Sequence, residues 1–102
     1  MKKLFIALVI LASPLLVLFA IYRQPLTPYT NDKFIEIPKG ASTIRIGELL
    51  EAEGLLRSPL QAWLWRAAHP GAKLQAGEYQ FRKEQTLDAV MSKIASGDIY
   101  FG

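Results

Sequence analysis

The most constraining feature of this sequence is an uncharged apolar run of nineteen residues, 4–22, near the N-terminus. Thirteen of these nineteen residues are Leu, Ile, Val or Phe. As an α-helix the run would span about 28 Å, close to the ~30 Å thickness of a bilayer's hydrocarbon core. The rest of the chain is polar enough to stay in water. The sequence therefore predicts one membrane-spanning helix that carries a small soluble domain.

Two features favour an uncleaved anchor over a cleaved signal peptide. The apolar run is longer than the apolar region of a signal sequence, and the small residue that cleavage needs two places before Ala20 is missing. Residues 21–23 form an aromatic and cationic anchor at the membrane interface. Because Lys2 and Lys3 outweigh Arg23, the positive-inside rule places the N-terminus in the cytoplasm and the domain on the opposite side.

Composition excludes several classes of function. Without Lys2 and Lys3 the chain keeps ten of its twelve Lys and Arg residues against nine Asp and Glu, so it has no basic stripe for nucleic acid. The absence of cysteine excludes a disulfide framework and a thiolate metal site. His69 is the only histidine, and we expect it to lie at a helix C-terminus rather than to bind a ligand. We expect no cofactor and no metal.

We expect three segments along the chain. Residues 1–22 form a cytoplasmic stub and the transmembrane anchor. Residues 23–33 contain two prolines and small polar residues, which predicts an extended linker that holds the domain off the membrane. Residues 34–102 form one α+β domain, close to the lower size limit for independent stability.

The domain begins with a predicted strand and helix. Residues 34–37 predict a short strand that ends in a turn at residues 38–40. Ser42 or Thr43 can cap a helix that continues to about Glu53. One face of this helix is apolar and includes Ile46, Leu49 and Leu50.

The second predicted helix has a strongly marked start. Ser58 is a capping residue, Pro59 suits the first helical position, and Gln61 completes a capping box. Helical spacing predicts that Leu60, Trp63, Leu64 and Ala67 face the core, and that the helix ends at residues 69–71. Trp65 falls roughly on the opposite side, where we expect it to pack under a further domain or to contact a partner, with glycan stacking and lipid contact as alternatives.

A second strand and a third helix complete the predicted order. Residues 74–81 predict the strand, and Thr86 caps a helix stopped by Gly97. Its predicted core residues are Leu87, Val90, Met91 and Ile94. Residues 99–101 resemble the opening of another strand, so we expect the chain to be the N-terminal piece of a longer protein.

Several segments together form a recognisable spaced pattern. They are the anchor, residues 34–40 (FIEIPKG), 46–50, 54–58 (GLLRS), 74–79 (LQAGEY) and 86–99. The most specific part is L-x-A-G-x-Y at residues 74–79, followed by an amphipathic helix that ends in Ser96 and Gly97. The strand–helix–helix–strand order resembles a LysM glycan-binding module, and the whole pattern resembles the start of the YceG-like (MltG) family of endolytic murein transglycosylases.

This resemblance implies a single-pass protein of the bacterial inner membrane with a LysM-like domain in the periplasm. Such enzymes cut nascent peptidoglycan strands internally. A glutamic acid protonates the leaving glycosidic oxygen, and the sugar's own 6-hydroxyl attacks, which leaves a 1,6-anhydro-N-acetylmuramic acid end. In the family this glutamate lies beyond the LysM-like part, and no segment here matches its motif. We therefore assign no catalytic residue and expect the chain to be inactive alone.

The resemblance also implies where a glycan would bind. In LysM modules the groove lies between the loop after the first strand and the loop before the second. The candidate glycan contacts by this resemblance are Gly40, Ser42, Thr43, Gly71, Lys73 and Gln75. Hydroxyl and amide groups suit sugar hydroxyls and N-acetyl groups. The alternative is structural, because glycines form turns and Ser42 and Thr43 cap a helix.

The carboxylates have an ordinary structural interpretation. Glu78 alternates with Tyr79 on the predicted strand and is expected to face water. Glu48, Glu51 and Glu53 are expected to form a solvated helix face.

Three functions stay open at this point. The leading one is the anchor and LysM-like part of a murein transglycosylase, whose partners are glycan strands, the membrane and peptidoglycan synthases or other envelope proteins. The alternatives are a membrane-anchored glycan-binding module and a scaffold that docks envelope proteins, both without catalysis.

Overall fold

The computed structural model describes residues 1–26, 29, 31–82, 84 and 86–100. Within these residues the elements are, in order, α1 (Lys2–Tyr22), β1 (Lys33–Ile37), α2 (Thr43–Ala52), α3 (Pro59–Ala68), β2 (Gly77–Phe81) and α4 (Leu87–Ala95). The two strands form one antiparallel sheet. The fold is therefore α+β, and the predicted order of elements is confirmed.

Helix α1 is long and apolar enough to cross a membrane. Its 21 residues correspond to about 31 Å of helix. Pro14 lies inside the helix and removes one backbone donor. The Ser13 hydroxyl donates a hydrogen bond to the Val9 carbonyl oxygen over 2.7 Å, so this polar side chain is satisfied within the apolar segment.

The sheet has one buried and one exposed face because side chains alternate along each strand. Ile35 pairs with Tyr79 and Ile37 pairs with Gly77. Ile35, Ile37, Tyr79 and Phe81 are all buried. The exposed face carries Glu36 opposite Glu78, which confirms that Glu78 points away from Tyr79 into water.

Helices α2 and α4 cover the buried face of the sheet with the residues that the sequence predicts. Leu87, Val90, Met91 and Ile94 of α4 are buried, as are Ile46 and Leu50 of α2. Gly47 lets α2 approach α3 closely, because a Cβ atom there would lie only 2.6 Å from the Pro59 carbonyl oxygen. Ser42, Ser58 and Thr86 cap the three helices of the domain.

The orientation of α3 differs from the prediction. Gln61, Ala62 and Trp65 are its buried residues, whereas Trp63 and Leu60 are 48% and 40% exposed. The prediction that Leu60, Trp63, Leu64 and Ala67 face the core while Trp65 lies off the core face is therefore wrong, since Ala67 is exposed as well and Leu64 is only half-buried. Both sides of α3 are apolar, so helical spacing alone does not decide which side is buried.

Polar contacts decide the orientation of α3. The Trp65 indole Nε1 donates to Asp88 Oδ1 over 3.0 Å, and its ring stacks on His69 with a centroid separation of 4.1 Å. A buried indole needs an acceptor, and this arrangement supplies one. His69 is the residue that ends α3, as predicted, and its Nδ1 lies 2.8 Å from the Trp65 carbonyl oxygen.

The chain after α1 packs on the domain. Leu26 and Tyr29, which belong to the segment predicted to be an extended linker, pack against the core, and so does Tyr22 at the end of α1. Residues 27, 28 and 30 lie outside the described residues.

The predicted C-terminal strand is not formed over Ile99 and Tyr100, and Phe101 lies outside the described residues. One backbone hydrogen bond, from Tyr100 N to the Glu78 carbonyl oxygen over 2.7 Å, joins this segment to β2.

The two tryptophans of α3 give a direct test of its orientation. We expect Trp65→Ala to lower the free energy of unfolding by about 3–5 kcal/mol, because it empties a buried site. Trp63→Ala should change it by about 0.5 kcal/mol or less, because its ring is half exposed. Urea denaturation of the whole chain in detergent micelles measures both. Equal losses, or a larger loss for Trp63, would contradict this orientation.

Candidate functional site

The pairing of Ile37 with Gly77 brings two loops to the same end of the sheet. One loop follows β1 and the other precedes β2. Between them lies a groove of about 300 Å³, called here the sheet-end groove, lined by Glu36, Ile37, Pro38, Lys39, Ala76, Gly77 and Glu78. This is the region in which the sequence places the glycan contacts.

The first wall of the sheet-end groove is a tight turn that leads into a capped helix. The Ala41 backbone N–H donates to the Pro38 carbonyl oxygen over 3.3 Å. Ser42 then caps α2, with its hydroxyl oxygen accepting from Arg45 N over 3.1 Å. The turn is thereby fixed between the end of β1 and the start of α2.

The second wall is fastened to the end of α4 through Gln75. The Gln75 side-chain nitrogen donates to the Ala95 carbonyl oxygen over 2.9 Å. The Gln75 backbone carbonyl oxygen accepts from the Tyr79 hydroxyl over 2.7 Å. Gly77 has φ +143, and a Cβ atom there would lie 2.6 Å from Ile99 Cγ2. Both the backbone conformation and the close contact therefore require glycine at this position.

Five of the six candidate glycan contacts lie in these two loops and Thr43 is the first residue of α2; none of the six lines the sheet-end groove. Gly40 and Gln75 are adjacent in sequence to its lining residues. The Ser42 hydroxyl and the Gln75 amide already have protein partners. Thr43 is half-buried, and Gly71 and Lys73 are exposed in the loop between α3 and β2. Their contact with glycan stays a prediction.

The lining of the groove includes residues that the sequence interpretation did not select. Glu36 and Glu78 lie directly opposite each other on neighbouring strands, and both are exposed. Like charges in this position disfavour folding slightly, whereas carboxylates accept hydrogen bonds from sugar hydroxyls. The alternation of Ile35 and Ile37 on β1 already indicates that Glu36 faces outward.

A second cleft, of about 530 Å³, lies along the edge of β2 that does not pair with β1. It is lined by Gln80, Arg82, Glu84, Lys93, Asp98, Ile99 and Tyr100. The Lys93 Nζ atom lies 3.3 Å from Glu84 Oε1 and 3.2 Å from Asp98 Oδ2, and its side chain is only 17% exposed. Because these charged groups already form ion pairs with one another, fewer polar atoms of this cleft are available to bind a ligand.

The exposed carboxylates have the surroundings that the sequence predicts. Glu48, Glu51, Glu53 and Glu78 are all exposed. A catalytic general acid commonly lies in buried, apolar surroundings, and these four side chains are not buried. Among the described residues no group of three or more His, Cys, Asp or Glu side chains could hold a metal ion.

Comparison with known proteins gives one match. A family model described as the YceG-like family matches residues 35–101, which is more than half of the 102-residue chain. The matched region contains the last three residues of β1, all of β2, the three helices of the domain and the two walls of the sheet-end groove. No curated protein and no solved structure matches the chain.

Two tyrosines of the described domain have raised pKa values, Tyr79 near the sheet-end groove and Tyr29 near Glu84. Burial raises the pKa of Tyr79, and the charge of Asp98 raises it further. Burial also raises the pKa of Tyr29, with a further increase from the charge of Glu84. The Tyr79 hydroxyl donates to the carbonyl oxygens of Gln75 and Ile94 over 2.7 and 3.3 Å. Tyr79 therefore ties the second wall of the groove to α4.

The raised pKa of Tyr79 predicts a loss of stability in alkali. The folded state holds this proton more tightly than the unfolded state, so its stabilising effect is complete below about pH 10 and is lost as the pH rises through the folded pKa. Tyr79→Phe should lower the free energy of unfolding by about 1–3 kcal/mol at neutral pH, because two carbonyl oxygens lose a donor.

Above pH 10 the difference between Tyr79→Phe and the native chain should shrink, since the variant has no hydroxyl to ionise. Urea denaturation from pH 7 to about pH 11 measures both curves. Tyr29→Phe is the companion variant, because it removes the other tyrosine whose pKa is raised. A constant difference between native chain and Tyr79→Phe over the whole range would contradict the expected effect.

Proposed function

The chain belongs to the YceG-like family, and from this membership we propose that it is the N-terminal part of a membrane-bound endolytic murein transglycosylase. The proposed enzyme cleaves nascent glycan strands of peptidoglycan and leaves 1,6-anhydro-N-acetylmuramic acid ends. The family match over residues 35–101 is the single observation that carries this proposal. The spaced residues of the sequence and the order of elements in the structure support it.

In this proposal α1 crosses the bacterial inner membrane once. Its apolar composition and its length support a membrane-spanning role. The excess of Lys2 and Lys3 over Arg23 favours a cytoplasmic N-terminus and a domain in the periplasm. New glycan strands emerge at that surface, so the anchor would raise the local concentration of the domain near its substrate.

The unit from β1 to β2 is proposed to be LysM-like and to contact the glycan. The sheet-end groove supports this, because it lies between the two loops that a LysM-like module would use. Glu36 and Glu78 can accept hydrogen bonds from sugar hydroxyls, and Lys39 can donate them. The backbone around Gly40 and Gly71 is open to such a ligand, since no atom of the described residues lies within 4 Å of where a Cβ atom would be at either glycine.

We propose that none of the carboxylates described in this chain is the catalytic acid, and that catalysis needs a different residue. The carboxylates of the sheet-end groove are exposed, and Glu84 pairs with Lys93. The same observation favours a second candidate function, a membrane-anchored glycan-binding or scaffolding module without catalysis. Peptidoglycan synthases or other envelope proteins are the partners proposed for either function.

Deleting the gene in its native bacterium separates the two candidates. The transglycosylase proposal predicts longer glycan strands and fewer anhydro ends, measured by chromatography and mass spectrometry of digested peptidoglycan. The purified chain alone should release no anhydro-ended products from glycan strands. Unchanged anhydro ends in the deletion strain would contradict the enzyme proposal and favour the non-catalytic module.

Glycan contact is tested by sedimentation of the purified chain with peptidoglycan. We expect Glu78→Gln combined with Lys39→Gln to weaken binding about fivefold, the equivalent of one hydrogen bond of about 1 kcal/mol. Glu48→Gln is the matched control, because Glu48 is also exposed but lies on α2 outside the groove lining. Equal binding by the groove variant and the control would contradict a role for the groove.

A further inference from the structure

Helix α3 leaves an apolar stripe uncovered. Leu60 and Trp63 are neighbours on one face of the helix and are 40% and 48% exposed. Two other large apolar residues of the described domain, Phe34 and Tyr100, are exposed to a similar degree, but their rings pack against each other with centroids 5.3 Å apart. The apolar stripe formed by Leu60 and Trp63 therefore differs from the exposed pair Phe34 and Tyr100, whose rings cover each other.

The position of α3 relative to the membrane helix supplies an explanation for the exposed stripe. Most of α1 is exposed, whereas Leu18, Ile21 and Tyr22 near its end are half-buried, and the element that α1 contacts is α3. The Gln61 amide nitrogen donates to the carbonyl oxygens of Ile21 and Gln24 over 3.2 and 3.1 Å. The first turn of α3 therefore lies level with the end of α1.

The end of α1 marks the surface of the bilayer. A helix of 21 residues is about 31 Å long, so when its start lies at one interface its end lies at the other. Leu60 and Trp63 flank Gln61 in sequence, on the side of α3 that faces away from the domain core. These two exposed side chains therefore lie within two residues of the side chain that bonds to the end of α1.

The charges around the stripe suit lipid headgroups. Helix α3 contains no acidic residue, and Arg57 and Arg66 lie three residues before Leu60 and three residues after Trp63. Arginines in such positions can reach lipid phosphates while apolar neighbours lie deeper. Helix α2, in contrast, carries the exposed Glu48 and Glu51, which anionic headgroups would repel. Charge therefore distinguishes the helix that faces the membrane from the one that does not.

We propose that the Leu60–Trp63 face of α3 inserts into the interface of the outer leaflet, so that the domain rests on the bilayer instead of standing above it. This inference rests on the proposed membrane anchoring of α1. The apolar stripe and its flanking arginines resemble the amphipathic helices that lie in the plane of a membrane. The insertion acts together with the bonds from Gln61 to the end of α1 in fixing the orientation of the domain.

Depth measurement by electron paramagnetic resonance tests this proposal on the whole chain in lipid nanodiscs. The chain has no cysteine, so single nitroxide labels can be placed at Trp63→Cys, Glu48→Cys and Ile10→Cys. Relaxation by oxygen and by a water-soluble nickel complex gives the depth of each label. We expect the label at position 63 to lie about 5–10 Å below the phosphates. The label at position 48 should be aqueous, and the label at position 10 should lie near the bilayer centre.

The three labels separate the possible results. An aqueous label at position 63 with a deep label at position 10 would overturn the inference and leave the membrane anchor intact. An aqueous label at position 10 would overturn the anchor itself. A label at position 63 that is shielded from both relaxants would indicate that a protein surface or a second copy covers the stripe, which also contradicts membrane insertion.

Native tryptophan fluorescence provides a measurement without a label. Trp63 should be quenched by lipids brominated near the headgroup, whereas Trp65 is buried in the domain and should be protected. Trp63→Phe should therefore remove most of the quenching, and circular dichroism confirms that the variant is folded. Equal fractional quenching in the native chain and in Trp63→Phe would overturn the proposal.

Discussion

The side chain of Gln61 is the interaction on which the arrangement of this protein depends. It is fully buried, and both ends of its amide are used. The oxygen accepts from Arg57 N and Ser58 N, which completes the capping box of α3, and the nitrogen donates to the carbonyl oxygens of Ile21 and Gln24. A buried amide left without partners costs about 1–3 kcal/mol, so this set of bonds favours one position of α3 against α1. The start of α3 and the end of the membrane helix are thereby joined.

This junction changes how the anchor is understood. A flexible tether would confine the domain to a shell above the membrane, with no preferred orientation. Here Leu26 and Tyr29 pack against the core and continue the contact that Gln61 begins. The domain is therefore held in a defined orientation relative to α1. In the proposed function, this orientation would present the sheet-end groove at a constant position relative to newly made glycan strands.

The sequence predicted those parts of the fold that depend on neighbouring residues. Ser58, Pro59 and Gln61 fix the start of α3 within four positions, and the caps at Ser42 and Thr86 act equally locally. The orientation of α3 was mispredicted because its deciding partners are distant in sequence. The Gln61 amide donates to Ile21 and Gln24, which precede it by 40 and 37 positions in the sequence. The Trp65 indole donates to Asp88, which follows it by 23 positions.

The candidate site also combines features that neighbouring residues determine with features that depend on residues distant in sequence. The loops after β1 and before β2 lie at one end of the sheet, but the lining of the groove between them includes Glu36, Lys39 and Glu78 and none of the six residues selected from the family resemblance. Contact of those six residues with glycan stays a prediction. Strand alternation could have identified Glu36, whereas its pairing with Glu78 requires the register of two strands separated by two helices.

The rigid junction between α1 and the domain is tested most directly by a distance distribution between them. Nitroxide labels at Ile10→Cys on α1 and Glu48→Cys on α2, measured by double electron–electron resonance in nanodiscs, report this distance. A rigid junction predicts a single narrow distance distribution in the native background. The distribution should be broader after Gln61→Ala, because the amide bonds to Ile21 and Gln24 are lost. A broad distribution in the native background, or the same narrow distribution in both, would contradict it.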